Sequence, residues 1–424
     1  MIESKDPIAR EPSCADGHDA DAMPVAEALA RISTEISPPA GQERLGLRLA
    51  LQRVLAEDIA APEDVPAHAN AAMDGYALAG GDLPSAGSAT LRVIGTALAG
   101  RPFAGTLRPG DCLRIMTGAP VPAGADTVIM QEHVERAGDT IRLGPGHRLG
   151  QNVRPAGEDL ARGAVVVQRG RRITPADLGL IASLGRAEVS LFRRPRVAYF
   201  STGDELRSIG DPLEAGCIYD SNRYTLYGML HRLGVEAVDL GVVRDTQDQV
   251  LQVLGGAGGW ADAIISSGGV SVGEADFITE ALRSQGRLAL WKVAMKPGRP
   301  IAFGRIGQSV FFGLPGNPVS VMATFYTLVQ PALRQMMGEQ APTPLVVKAR
   351  CTTRLKKKPG RVEYQRGVLG RDEHGDLTVR ATGPQGSAIL RSMHEADCFI
   401  VLPSEWGRVE PGTLVTVQPF FGLV

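Results

Sequence analysis

Three stretches decide the fold: RVAYFSTGDEL at 196–206, DAIISSGGVSVGEAD at 262–276 and SVFFGLPGNP at 309–318. Each is a short apolar run that ends in glycines, hydroxyls or carboxylates. Between them lie helical stretches such as SNRYTLYGMLHRLG (221–234) and TQDQVLQVLGG (246–256), and a long helix is expected from Pro318 to Met337. Strands buried on both faces read as continuous apolar runs, and their alternation with helices predicts a doubly wound α/β domain with a mostly parallel sheet over 193–340. In such sheets ligands bind beyond the carboxyl ends of the strands. The chemically capable residues fall there: Asp204 and Glu205, Asp220 ahead of a helix, Asp245 after EAVDLGVVR, the 266–276 loop, and Gly313 to Pro318.

Outward from this core, residues 1–22 are polar and are expected to form a flexible extension. Residues 23–60 are expected to be helical, with a stripe at Val25, Leu29 and Ile32 and a continuation over Leu45 to Leu55. Residues 61–149 break into short β-like runs between Gly/Pro turns and predict a small all-β unit. From 150 to 192 the chain predicts strands around a helix capped by Thr174 and opened by Pro175. The expected organisation is a discontinuous mixed α/β domain (23–60 and 150–192), an inserted β domain (61–149), the α/β domain (193–340) and a C-terminal β-barrel-like domain (341–424).

With 45 Lys+Arg against 46 Asp+Glu, no global field exists to hold nucleic acid or an anionic membrane, so an anion site must be local. No apolar run is long enough for a membrane span and no signal pattern opens the chain, which makes the expected location cytoplasmic. The five cysteines form no CxxC pair and are expected to be free thiols. The seven histidines show no HxH or HExxH spacing, and no GxSxG elbow occurs.

The loop SSGGVSVGEAD is the strongest phosphate-binding candidate. Its small residues Ser267, Gly268, Gly269, Ser271 and Gly273 let backbone N–H groups approach an anion, and no Walker GK[ST] follows. Carboxylates beside such a loop would repel an anion unless a hard cation lay between them. Asp245 and Asp276 are therefore candidate Mg²⁺ ligands, and Glu205 could aid or activate water. Lysine is scarce, seven against 38 arginines, yet Lys292 and Lys296 stand four apart, which on one strand would put both ammonium groups on one face beside Arg299. An anion between them is the expected partner. The run Lys356-Lys357-Lys358 reads as a solvated loop.

Taken in order, these loops resemble the molybdopterin molybdotransferase family, which includes bacterial MoeA and the E domain of gephyrin and its plant counterpart. The matching stretches are AMDGYA (72–77), IMTGAPVP (115–122), GED (157–159), TGDEL (202–206), the 268–276 loop, MKPG (295–298) with Pro300, GLPGNPVS (313–320), QRG (365–367) and GS (386–387). Two departures are visible: a longer polar N-terminus, and Asn70-Ala71 where the family often has a Ser. The resemblance implies a four-domain homodimer that converts adenylylated molybdopterin and molybdate into molybdenum cofactor and AMP with Mg²⁺. It implies that Asp74, Thr117 and Asp159 are supplied by the partner subunit, and that Glu205, Asp245 and Asp276 serve catalysis and Mg²⁺. Lys292, Lys296, Pro297, Ser320, Arg366 and Ser387 would then handle the oxyanion and the neighbouring phosphate. A molybdopterin adenylyltransferase and molybdoenzyme chaperones are the candidate protein partners. Two rival readings are a molybdopterin adenylyltransferase working from ATP and a non-catalytic scaffold of the same fold.

Overall fold

The computed structural model describes residues 22–37, 41–269, 286–340 and 344–422. It divides into two compact units, residues 1–43 with 192–424, and residues 44–191.

In the first unit a six-stranded sheet runs Glu236–Val243, Arg196–Thr202, Ala263–Ser267, Ser309–Leu314, Pro300–Ile306, Gly286–Lys292. The first four strands are mutually parallel, and the last two join antiparallel. Burial explains the order. Ala263–Ser267 and Ser309–Leu314 are buried at every position and sit centrally, whereas Glu236–Val243 is mostly half-buried and lies at the edge. The register sets Ser201 beside Ser267 and Ser267 beside Leu314, so three strands end in one row.

The helix Ser221–Leu233 starts where Asp220 accepts the Arg223 N–H at 3.1 Å and stops at Gly234, whose φ of 87° suits a residue without Cβ. The helix expected over 318–337 forms as Pro318–Thr324 and Gln330–Met336 joined by a π turn, Phe325–Val329. Pro331 lacks the amide that an α-helical ladder would need there, and the ladder widens in the turn before it. The helix Val25–Glu35 is grouped with this unit: the Gln335 side chain donates to the Ser33 carbonyl at 3.0 Å and accepts from its hydroxyl at 2.8 Å.

Strands Val347–Cys351, Val362–Arg371, Leu377–Ala381, Cys398–Leu402 and Leu414–Pro419 close into a five-stranded barrel, because Val362–Arg371 pairs with both Leu377–Ala381 and Cys398–Leu402. A two-residue strand, Met295–Lys296, pairs with Val362–Glu363 at the barrel edge. This corrects the reading of Lys292 and Lys296 as neighbours on one strand. Lys292 ends the α/β sheet, and by Met295 the chain has joined the other sheet, so the period-2 relation breaks at Val293–Ala294.

In the second unit a six-stranded sheet runs Thr127–Met130, Gly75–Leu78, Asp111–Ile115, Ala89–Ala97, Thr140–Leu143, Val134–Ala137. The segment expected to be helical over 45–55 instead forms the end of the strand Gln42–Gly46 and a single 3₁₀ turn, Leu47–Ala50. Its leucines at 45, 47, 49 and 51 repeat every two residues, which makes no helical stripe, and Leu49 stays 66% exposed. Among the described residues no helix is long and apolar enough to cross a membrane, and Cys112, Cys217, Cys351 and Cys398 are free.

The helix Pro175–Ser183 carries a full capping box: Thr174 Oγ1 accepts from Asp177 N at 3.3 Å, and Asp177 Oδ2 accepts from Thr174 N at 2.9 Å. Thr174→Ala should cost about 1 kcal/mol, read by calorimetry as a lower melting temperature, whereas Thr174→Ser should stay near wild type. Equal melting of all three proteins would show that the cap is not limiting.

Candidate active site

Beyond the row of strand ends in the first unit opens a cleft of about 870 Å³. One wall carries Thr202, Gly203, Glu205 and Asp245; the floor is Ser267 to Gly269 with Pro315 to Pro318. Lys296 to Pro300 and Ser320 also line the cleft, together with Arg361 and the 385–388 loop, which the barrel domain supplies.

The floor depends on close backbone approach. Gly268 has φ of 91°, donates its N–H to the Leu314 carbonyl at 3.0 Å, and would drive a Cβ into the Thr202 carbonyl oxygen. A strand end that must turn within contact distance of its neighbour's backbone can be built only with glycine. The outcome is a row of small residues open to the cleft, the surface an oxyanion can approach.

The acidic wall is short of positive charge. Asp245 is half-buried and accepts from Thr202 Oγ1 at 3.4 Å. Desolvation pushes its carboxyl above the usual range, and the negative charges of Asp204 and Glu205 push the same way. Carboxylate oxygens are the donors a hard divalent ion selects, and Asp245 and the exposed Glu205 supply them; among the described residues no cluster of three or more such ligands forms. Asp276, Ser271 and Gly273, the other expected members of this loop and its metal site, lie outside the described residues. Asp220 also lines the cleft, but its buried carboxylate is taken up by Ser201 Oγ, Arg223 N and Arg223 Nε. It acts as a helix cap.

On the basic wall, Lys296 Nζ lies 3.3 Å from Oε1 of the buried Glu363, whose other oxygen accepts from Gln365 Nε2 at 2.9 Å. The ammonium is thus anchored from behind while its side chain remains 50% exposed toward solvent. Pro297 follows in the wall. The Val319 N–H donates to the Ser387 carbonyl at 3.0 Å, which draws together Ser320 and Ser387, two expected site residues from different domains. Lys292 does not line the cleft. Nor does Arg366: it is 1% exposed, its Nε donates to Ser392 Oγ at 3.0 Å and an Nη to the Gly386 carbonyl at 3.1 Å. It stands behind the 385–388 loop, and burial pushes its guanidinium down to about 10. Lys357, expected in solvent, is buried and donates to the carbonyls of Lys358 (2.9 Å) and Arg361 (2.7 Å), closing the turn that carries Arg361 into the cleft.

In the second unit Asp74 and Thr117 meet directly: Asp74 Oδ1 accepts the Thr117 N–H at 2.8 Å and its hydroxyl at 2.7 Å. These bonds hold the exposed carboxyl below the usual carboxylate range, with help from Arg114. Asp159 is exposed in a turn whose backbone pairs with Val65. Asn222, Arg361 and Gln385 line the cleft without having been expected there. Asn222 had one signal, its place at the first turn of a helix that follows a strand end. The other two had none.

Three family descriptions match the chain in sequence: the MoeA N-terminal region (domains I and II) at 23–185, a probable molybdopterin-binding domain at 198–335, and the MoeA C-terminal region (domain IV) at 348–420. The chain belongs to the MoeA family. Among its relatives, the molybdopterin molybdenumtransferase of Haemophilus influenzae is 43% identical over 93% of this chain and 98% of its own. Molybdopterin molybdenumtransferase 2 of Mycobacterium tuberculosis is 36% identical over 86% of this chain and 91% of its own. The crystal structure of the molybdopterin biosynthesis moeA protein from Pyrococcus horikoshii superposes with a TM-score of 0.82 at 30% identity, covering 94% of this chain and all of that one. The MoeA-family cleft described above lies within the segments matched by the second and third descriptions.

The raised carboxyl of Asp245 has a consequence for stability. A carboxyl lifted above its unfolded value favours the folded state fully below that unfolded value, and the contribution is lost as pH rises through the folded one. Asp245→Asn should therefore raise the melting temperature at neutral pH, with the difference closing toward pH 4. An equal difference at both pH values would remove desolvated charge as the cause.

Proposed function

We propose that this chain is a molybdopterin molybdotransferase: it takes adenylylated molybdopterin and molybdate as substrates and yields molybdenum cofactor and AMP. The observation that carries the proposal is one cleft lined by the carboxylates Glu205 and Asp245, by a glycine loop, and by a lysine that Glu363 anchors. Two anions, an oxometalate and a nucleotide phosphate, need this arrangement, because one cationic cluster alone would leave one of them unneutralised.

In this reading the Ser267 hydroxyl and the Gly269 N–H of the floor bind the phosphate, and Lys296, helped by Arg299 and Arg361, carries charge to it. The hydroxyls of Ser320 and Ser387 supply hydrogen bonds to a tetrahedral dianion. Glu205 positions or deprotonates the attacking species. Mg²⁺, held by Asp245 and Asp276, would supply neutralisation of the charge that develops on the departing AMP. Arg366 supports the wall that carries Ser387, and Lys292 keeps only the role that the family resemblance implies. The cytoplasmic homodimer is part of the same proposal, with Asp74, Thr117 and Asp159 serving catalysis.

The rival adenylyltransferase reading must account for the MoeA N-terminal and C-terminal regions, which the proposed reaction uses and ATP-dependent adenylylation does not explain. Purified protein should release AMP from adenylylated molybdopterin when molybdate is present, and should not turn over ATP with molybdopterin. Chelation of divalent ions should abolish that release and Mg²⁺ should restore it. Glu205→Gln should lower single-turnover AMP release by roughly 100-fold, the usual scale of a lost general base. Turnover of ATP, or release unaffected by Glu205→Gln, would overturn the assignment or that role respectively.

A further inference from the structure

Asn222 is the second residue of the helix Ser221–Leu233, and its place is fixed. Asp220 caps the helix and accepts from Ser201 Oγ at 3.1 Å near the end of the strand Arg196–Thr202, while Arg223 reaches on to Asp239 at 3.1 Å. From this mount the Asn222 amide nitrogen makes two bonds, to Ser267 Oγ at 2.8 Å and to the Gly316 carbonyl at 2.7 Å. The Gly316 carbonyl can only accept, so it settles which end of the amide faces the loops. Both amide protons are then used, and Oδ1 is left buried with no hydrogen-bond partner among the described residues. A buried unmatched acceptor is unfavourable, and an apolar side chain would fill the space without it. The residue is therefore better explained by what its two donors hold.

They hold the cleft floor. Ser267 ends the strand Ala263–Ser267, is 2% exposed and lines the cleft. Because its oxygen accepts from Asn222, its own proton is left to donate. Gly316 follows the strand Ser309–Leu314, and a Cβ there would meet the Gly268 Cα at 4.0 Å. One amide thus ties the loops that leave two adjacent parallel strands and turns a hydroxyl proton away from itself.

We propose that Asn222 is a positioning residue for anion binding: it orients Ser267 as a hydrogen-bond donor and clasps the Gly316 loop against the Gly268 loop, so that the floor is preformed for the phosphate of AMP and of the adenylylated substrate. This rests on the proposed function of the cleft.

The test uses the full chain, with AMP as the probe in calorimetric titration and adenylylated molybdopterin plus molybdate in turnover. Asn222→Ala should weaken AMP binding by at least tenfold and raise KM for the adenylylated pterin comparably, with kcat changed less than threefold. Asn222→Asp keeps the shape and is the variant that reads the effect if Asn222→Ala does not fold; it should bind AMP more weakly still, because a carboxylate faces the Gly316 carbonyl and the anion. Ser267→Ala should weaken binding, and the Asn222→Ala/Ser267→Ala pair should lose less than the product of the single losses, since one residue acts through the other. AMP affinity within threefold of wild type in the folded Asn222 variants, or losses that simply multiply, would overturn the clasp. A wild-type protein that neither binds AMP nor releases it would instead overturn the functional reading on which the clasp rests.

Discussion

The parallel register of three strand ends is the constraint on which the cleft depends. Ser201, Ser267 and Leu314 lie side by side, so the chain must turn away from the sheet at nearly the same level three times. At Gly268 there is no room for a side chain above the Thr202 carbonyl. The glycine content of these loops is thus first a packing requirement, and the exposed backbone that results is what makes the site suitable for an oxyanion. Structure and chemistry share one cause here.

Charge is arranged around that floor by burial of different degrees. Glu363 is buried, with Lys296 at one oxygen and Gln365 at the other, and the first of these contacts fixes the ammonium at the cleft. Asp245 accepts from the Thr202 hydroxyl, but desolvation pushes its carboxyl up and the charges of Asp204 and Glu205 push the same way. The asymmetry matters. A paired carboxylate supports a wall, whereas an under-compensated one retains a reason to bind a cation. The pairing of Met295–Lys296 with Val362–Glu363 also explains why the barrel belongs to the site: the same short strand joins the two sheets and carries the lysine.

Much of this was legible in the chain itself. Continuous apolar runs such as VFFGL at 310–314 marked central strands because burial on both faces selects apolar side chains. Thr174 followed by Pro175 marked a helix start because cap and first helical residue are adjacent in the chain. What failed depended on distant contacts. The lysine spacing assumed one uninterrupted strand, and the chain changes sheets between Lys292 and Lys296. The Lys356 to Lys358 run hid a buried middle residue whose acceptors, the carbonyls of Lys358 and Arg361, only a closed turn brings together. Arg366 sat in a matched motif, yet its guanidinium contacts run to Ser392 and Gly386.

That last case separates two ways in which a residue can matter to a site. Arg366 and Asn222 both bond to the peptide carbonyls of cleft-lining loops, Gly386 and Gly316, and both sit on rigid elements, a barrel strand and a capped helix. Loops rich in glycine lose much conformational entropy when ordered, so a floor made of them needs fixed donors around it to stay in one arrangement. The direction of a side chain's hydrogen bonds thus separates a residue that faces the cleft from one that holds a loop lining it.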